Sequence, residues 1–178
     1  MPVQDVLTIF AVCALVANVA SVVLLVHRFV ALPGIGAVAA AVSRRNGEIA
    51  GLVALGATLG SLYLSEVADL VPCRFCWFQR IAMYPLAVLL IVAVWTRDRG
   101  IRRYVYPIAA MGLAVSVWHY LVQVFPSLED ATACNILNPC TVKYAWKFGF
   151  VSIPYMAGSM FIFVLVALSS RARASRIG

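Results

Sequence analysis

The chain has 178 residues, of which 63% are hydrophobic and only 12% are charged. A soluble domain carries about 25% charged residues, so this composition excludes an ordinary soluble protein and indicates an integral membrane protein. The formal charge of +7 does not indicate a nucleic-acid partner, because the arginines lie in short runs between apolar segments, as is typical of cytoplasmic loops.

Five apolar segments are long enough to cross a hydrocarbon core of ~30 Å. They are Val6–Val26, Ile49–Val71, Trp77–Trp95, Tyr104–Phe125 and Val151–Ser170. The segment Phe29–Val42 is also apolar, but it is short and contains Pro33-Gly34, which would break a helix. We therefore predict an all-α membrane protein with five spans and one interfacial or re-entrant piece.

The distribution of basic residues predicts the orientation of these spans. With the N-terminus outside, ten of the 14 Lys and Arg residues fall inside and four fall outside, as the positive-inside rule requires. Cys73, Cys76, Cys134 and Cys140 then face the extracytoplasmic side, where disulfides persist. Cys13 lies within the first span and is predicted to be a buried, inert small hydrophobe.

The stretch Pro72–Arg80 contains a Cys-x-x-Cys pair between two spans. If Pro72 opens a helix, Cys73 and Cys76 share a face and Arg80 lies one turn further on. A helix start also favours the thiolate form of cysteine. The pair could be a structural disulfide or half of a zinc site with Cys134 and Cys140. A redox pair is the favoured interpretation, because exposed disulfides at helix starts are labile.

Three stretches together resemble the DsbB family of membrane thiol oxidases, and in particular its short-loop, BdbC-like branch. They are Cys73-x-x-Cys76-aromatic-x-x-Arg80, the segment His119–Pro126, and Cys134-x5-Cys140 followed by Tyr144, Trp146 and Phe148-Gly149-Phe150. The resemblance covers Ile49–Ser170. It implies a four-helix transmembrane bundle. The chain departs from the family in having one extra N-terminal helix and in the close spacing of its second cysteine pair.

This resemblance divides the chain into three parts. Residues 1–48 hold the extra transmembrane helix and the interfacial segment, residues 49–170 form the four-helix core, and residues 171–178 form a basic cytoplasmic tail. The loop Pro126–Gly149 is too short to bury a core of its own, so we expect it to be mobile and to meet a partner. The contribution of the N-terminal part is left open.

The family implies a quinone-dependent protein dithiol oxidoreductase of the bacterial cytoplasmic membrane. A DsbA-like thioredoxin-fold partner would be reoxidised, and the electrons would pass to menaquinone or ubiquinone without a metal. The resemblance implies that Cys134 takes the attack of the partner's thiol and that Cys140 exchanges with Cys73. Cys76 would then face the quinone.

Three further residues are candidates for the quinone site. Arg80 could be a membrane-border anchor, but a guanidinium one turn from Cys76 would stabilise negative charge on a quinone oxygen. His119 could be a packed polar side chain, or it could handle the protons that quinone reduction consumes. Gln123 is a weaker candidate, one turn beyond His119.

Two rival classes remain. One is another membrane thiol–disulfide carrier, such as a vitamin K epoxide reductase-like protein. That reading is disfavoured because its Cys-x-x-Cys would follow the loop cysteines, whereas here Cys73-x-x-Cys76 precedes Cys134 and Cys140. The other is a non-enzymatic membrane protein whose disulfides are structural.

Overall fold

The computed structural model describes residues 2–30, 34–98, 100–132, 134 and 138–170. The helices are α1 (Val3–Phe29), α2 (Gly36–Arg44), α3 (Asn46–Glu66), α4 (Arg74–Thr96), α5 (Arg102–Val124) and α6 (Ile153–Ser169), with a 3₁₀ turn at Pro126–Ala131. The described ranges contain no β-strand, and an isolated bridge joins Lys147 to Val151. The prediction of an all-α fold is confirmed.

Among the described residues, four helices, α1, α3, α4 and α5, are long and apolar enough to cross a membrane. Helix α6 is also apolar but has only 17 residues, which at 1.5 Å per residue span about 25 Å. It is heavily buried, with Phe161, Val164 and Ala167 inaccessible to solvent. The five predicted spans thus appear as five helices.

Helices α3, α4, α5 and α6 form a closed ring in which each helix packs on the next, and α1 packs outside this ring against α6. A close approach of α5 and α6 depends on Gly112, because any Cβ at that position would overlap the Phe161 ring. The arrangement is the predicted four-helix bundle with one extra N-terminal helix.

Helix α1 is attached to α6 by small residues and one amide. Ala11, Ala14 and Ser21 are buried on α1, and small side chains let transmembrane helices approach closely. The Nδ2 atom of Asn18 donates hydrogen bonds to Tyr155 Oη at 2.8 Å and to Ser159 Oγ at 3.0 Å. Interhelical hydrogen bonds of this kind contribute about 0.6–2 kcal/mol in a membrane.

The helix directions place two sets of residues at opposite ends of the bundle. Cys73, Cys76 and the loop cysteines lie at the end where α3 and α5 finish, whereas the arginines of the α1–α3 and α4–α5 connections lie at the other. At that second end, Asn46 Nδ2 donates to the carbonyl of Ser170. The predicted basic tail 171–178, Arg99 and Pro33 lie outside the described residues.

Several predicted boundaries were wrong. The second span ends at Glu66 rather than Val71. Pro72 does not open α4, since Cys73 is the N-cap and Arg74 is the first helical residue. Cys13 is exposed rather than buried, because the small residues of α1, not this thiol, pack against α6.

Candidate active site

The first cysteine pair sits at the start of α4, as the Cys-x-x-Cys spacing predicted. The Sγ atom of Cys73 caps the helix by accepting the backbone N–H of Cys76 at 3.4 Å. The two Sγ atoms are 3.1 Å apart and both cysteines are free thiols, since a disulfide would hold them about 2.05 Å apart. A small movement would therefore join them.

The surroundings of Cys73 favour its thiolate. A hydrogen bond from the Cys76 thiol, then the hydrogen bond and charge of His119, and the Cys76 backbone N–H together lower the pKa of Cys73 from 9.0 to about 4, against a burial that raises it. A thiolate is the form that attacks a disulfide. The geometry therefore equips Cys73 for thiol–disulfide exchange.

His119 joins the first cysteine pair to the loop. Its Nε2 atom lies 3.5 Å from Cys73 Sγ and 3.1 Å from the carbonyl oxygen of Cys140. One turn later, Gln123 Nε2 donates to the carbonyl of Val142 at 2.9 Å. Both side chains are buried. They contact the loop, so they do not lie with Arg80 in one site, as the sequence had suggested.

The second cysteine pair forms a disulfide, Cys134–Cys140, and Cys140 is only 1% exposed. Cys73, Cys140 and Val122 belong to one apolar cluster, with Cys76 and Cys134 packed against it. All four redox-candidate sulfurs thus lie within one packed region at the end of the bundle.

Polar contacts fasten the described part of this loop, which differs from the expected mobile segment. Glu129 Oε1 accepts the Cys140 N–H at 2.6 Å, and Oε2 accepts the Thr141 hydroxyl at 2.9 Å. Asn138 Nδ2 donates to the carbonyl of Pro72 at 3.0 Å. The loop is held against the start of α4 by these bonds rather than by a core of its own.

A large cavity begins directly below the first cysteine pair. It has a volume of about 660 Å³, is bounded by α1, α3, α4 and α6, and is lined at one end by Cys76, Gln79 and Arg80. Arg80 is 7% exposed, and its Nε and Nη2 atoms donate to Ser61 Oγ at 3.0 Å and to the Ser61 carbonyl at 2.8 Å. The prediction that Arg80 lies one turn from Cys76 on the same face is consistent with this geometry.

Gln79 is the unexpected residue of this cavity. It is 5% exposed, and its Nε2 atom has no hydrogen-bond partner within the described part of the chain. A buried donor without a partner destabilises the folded state by about 1–3 kcal/mol. A ligand that accepts a hydrogen bond from Nε2 would explain why this donor lies in the cavity. Gln79, Ser61 and Glu129 were not predicted as site residues. Only Gln79 carried a sequence signal, its place beside Arg80 in the motif.

Two clusters in the described ranges have ligand atoms close enough to hold a metal ion. They are Cys73, Cys76 and His119, and Glu129, Cys134 and Cys140. Zinc bound by all four cysteines requires four thiolates, whereas Cys134 and Cys140 are joined to each other. In this state the second pair does not offer the free thiolates that a four-cysteine zinc site requires.

A membrane bundle with a dithiol at a helix start, a disulfide packed beside it and an apolar cavity below defines a membrane disulfide-forming oxidoreductase. The chain belongs to the DsbB family, because the family model described as "Disulfide bond formation protein DsbB" matches residues 43–170. This match covers α3 to α6 and leaves α1 outside it.

Individual relatives agree with the family assignment. The chain is 42% identical over 115 residues to disulfide bond formation protein C of Bacillus subtilis, a match that covers 65% of this chain and 83% of the relative. A probable disulfide formation protein C of Halalkalibacterium halodurans is also 42% identical, with 65% and 84% covered. A probable disulfide formation protein of Coxiella burnetii is 41% identical, with 59% and 72% covered. No solved structure gives a significant match.

Proposed function

We propose that this protein reoxidises an extracytoplasmic thioredoxin-fold dithiol protein of the DsbA type and passes the electrons to a membrane quinone, menaquinone or ubiquinone. The observation that carries the proposal is the position of Cys76. Its sulfur is 3.1 Å from Cys73 Sγ, which packs in one cluster with Cys140, and Cys76 also lines the cavity. The pair therefore connects the loop disulfide to a space within the membrane.

The electrons move through two disulfide exchanges. The thiolate of the partner attacks the Cys134–Cys140 disulfide, the partner's two thiols become a disulfide, and the loop cysteines become thiols. The loop cysteines then return to a disulfide by reducing an oxidised Cys73–Cys76 pair. The state with Cys134–Cys140 joined and Cys73 and Cys76 free corresponds to the point at which the electron pair has reached α4.

A quinone bound in the cavity supplies an acceptor for two electrons and two protons. The residues at the polar end fit such a group. Arg80, held by Ser61, stabilises negative charge on an oxygen close to Cys76, and the unpartnered Nε2 of Gln79 can donate a hydrogen bond to a carbonyl.

His119 has a different role in this proposal from the one that the sequence suggested. Its Nε2 atom lies beside Cys73 Sγ and the Cys140 carbonyl. An imidazole here stabilises the Cys73 thiolate and can exchange a proton with it during each disulfide transfer. Gln123 holds the loop through Val142 and so acts on the same exchange step.

The sequence also supports a location. The four cysteines lie at the bundle end opposite to most of the arginines, and arginine-rich ends stay in the cytoplasm. We therefore assign the cysteine end to the extracytoplasmic face of a bacterial cytoplasmic membrane, where an oxidised partner persists.

Anaerobic mixing of purified protein, a reduced DsbA-like partner and a quinone tests the proposal. Wild-type protein should convert one quinone to quinol for every partner disulfide formed. Cys76→Ser should stay folded and oxidise a single equivalent of partner through Cys134–Cys140, but it should not reduce quinone. If Cys76→Ser turns over as wild type does, the electron route is wrong. If it unfolds, the cysteines have a structural role.

A further inference from the structure

We propose that the N-terminal helix α1 forms one wall of the quinone site and holds the isoprenoid chain of the quinone. This inference rests on the proposed function and extends it to a helix that the family match does not include. It gives a role to the part of the chain whose contribution the sequence left open.

One face of α1 lines the cavity. Phe10, Cys13, Val16, Ala17 and Ala20 all contribute to its wall, and their spacing of three, four and seven residues places them on one side of a helix. From Phe10 to Ala20 this face extends about 15 Å at 1.5 Å per residue. That length is about half of a hydrocarbon core, so the cavity runs lengthwise into the membrane.

The cavity has a polar end and an apolar body. Cys76, Gln79 and Arg80 lie near the start of α4, whereas Val53 of α3 and Phe163 of α6 line the cavity nearer to the opposite end of the bundle. A quinone has the same polarity, with a carbonyl-bearing ring followed by a long hydrocarbon chain. The chain would lie against α1 while the ring meets Cys76.

In addition to the packing of its small residues on α6, two side-chain contacts hold α1 beside the cavity. Asn18 attaches α1 to α6 through Tyr155 and Ser159. On the other side the Phe10 ring reaches α3, where a Cβ on Gly60 would be 3.1 Å from it. Gly60 is the neighbour of Ser61, which holds Arg80. The wall formed by α1 is therefore continuous with the residues that position the guanidinium.

The cavity is open to the outer surface of the bundle beside α1. Val16 and Val12 line it and yet are 63% and 46% exposed, and Gly56 on α3 is also both exposed and part of the lining. A hydrocarbon chain can therefore enter from the side, between α1 and α3. A phospholipid acyl chain is the rival occupant, and the experiment must distinguish it from the isoprenoid chain of a quinone.

Cys13 provides a built-in probe of this wall. Once Cys73–Cys76 and Cys134–Cys140 are both oxidised, Cys13 is the one remaining thiol among five cysteines. The oxidised protein in detergent is treated with N-ethylmaleimide, alone or with a long-chain quinone, a quinone without a side chain, or a phospholipid, and the labelling rate is followed by mass spectrometry. At about ten times its Kd, the long-chain quinone should slow labelling about tenfold, whereas the tail-less quinone and the phospholipid should not.

The labelled protein gives a second readout. Alkylated Cys13 should raise the KM for the long-chain quinone about tenfold and leave the KM for the tail-less quinone unchanged. A matched control is Val22→Cys in a Cys13→Ser background, since Val22 is 60% exposed on α1 but does not line the cavity. The labelling rate at position 22 should not change when quinone is added, and alkylation at this position should leave both KM values unchanged.

A side-chain variant repeats the test without a label. Ala17→Leu narrows the cavity from the α1 side and should raise the KM for the long-chain quinone selectively. If quinone does not protect Cys13 and Ala17→Leu has no selective effect, the inference is wrong even where wild-type protein reduces quinone. Equal protection by phospholipid would identify a lipid site instead. Wild-type protein that reduces no quinone would refute the proposed function. The labelling rates do not depend on turnover, so they test the binding of quinone beside α1 separately.

Discussion

His119 Nε2 lies 3.5 Å from Cys73 Sγ, and the same atom lies 3.1 Å from the carbonyl oxygen of Cys140. One imidazole therefore contacts the sulfur of Cys73 and the backbone of Cys140, the two cysteines between which the proposed disulfide exchange takes place. The ring is held in place by burial and by its contact with Phe75, whose ring centroid is 5.5 Å away. This relationship makes His119 a determinant of thiolate chemistry at Cys73.

Replacing His119 with alanine should raise the pKa of Cys73. In wild-type protein that pKa is about 4, so the thiolate is present at every pH well above 4. Without the hydrogen bond and charge of His119, the pKa of Cys73 moves back toward 9.0. At pH values between the wild-type pKa and the raised pKa, the Cys73 thiolate of the variant is then lost to protonation. The measurement is the pH titration of thiolate ultraviolet absorbance in a Cys13→Ser background. His27→Ala, at the opposite end of the bundle, is the control, and identical titrations for both variants would contradict the prediction.

Ser61→Ala should weaken quinone binding through Arg80. The substitution removes the Nε to Oγ hydrogen bond and leaves the bond to the Ser61 carbonyl. A hydrogen bond to a charged group contributes about 1.5–3 kcal/mol, so the KM for quinone should rise about tenfold or more. Arg80→Lys should raise the KM for quinone further than Ser61→Ala does, because an ammonium group cannot keep both hydrogen bonds that the guanidinium makes to Ser61.

The control for Ser61 is Ser65→Ala, one turn further along α3. Its hydroxyl donates to the carbonyls of Ser61 and Leu62 and to Glu66. Ser65→Ala leaves the Ser61 carbonyl and hydroxyl in place for Arg80, so steady-state kinetics should not change. An equal rise of KM in Ser65→Ala would show that α3 is generally sensitive and that Ser61 has no special role.

Gln79→Leu should stabilise the protein and weaken quinone binding at the same time. The substitution removes a buried donor that has no partner in the described ranges, so the free energy of unfolding should rise by about 1 kcal/mol. The same change removes the proposed donor to the quinone carbonyl, so the KM should increase. Thermal unfolding without quinone and steady-state kinetics measure the two effects.

Gln123→Leu is the matched comparison for Gln79. Its Nε2 donates to the carbonyl of Val142, although its Oε1 has no partner in the described ranges. Leucine would leave the Val142 carbonyl unpaired, so Gln123→Leu should not raise the free energy of unfolding. If both glutamine variants change stability in the same direction, the proposed difference between the unpartnered Nε2 of Gln79 and the hydrogen-bonded Nε2 of Gln123 is wrong.

Glu129→Ala should release the loop disulfide. The carboxylate accepts hydrogen bonds from the Cys140 N–H and from the Thr141 hydroxyl, and losing them should favour local opening about tenfold. Reduction of Cys134–Cys140 by dithiothreitol should then be faster, as followed by alkylation and mass spectrometry. Asp130→Ala changes the exposed neighbour and should reduce at the wild-type rate. A slower reduction in Glu129→Ala would refute the proposed anchoring role.

The helices were predictable because a hydrocarbon core leaves few choices of composition. The apolar runs identified all five spans, and the error at Val71 arose because apolar residues after Glu66 continue as a non-helical connection to Cys73. Cys13 was misjudged for a related reason. In a span that faces lipid, apolar character does not separate the packed side of α1 from the exposed one.

The local part of the site was predictable and the long-range part was not. Helical periodicity alone relates Cys73, Cys76 and Arg80. The contacts of Glu129 with Cys140 and of Arg80 with Ser61 join different elements, and nothing in the spacing of these residues indicates them. His119 and Gln123 were assigned to the quinone site from the family resemblance and from the protons that quinone reduction consumes, but their side chains contact the loop.

The side opening next to Val16 and Gly56 has a consequence for enzymology. A molecule that enters there comes from the surrounding amphiphile phase and not from bulk water, so its mole fraction in that phase sets the occupancy. Adding detergent at a fixed total amount of quinone dilutes the quinone among micelles and raises the apparent KM. Rate constants for variants are therefore comparable only at one detergent-to-protein ratio, or after reconstitution at a defined quinone-to-lipid ratio.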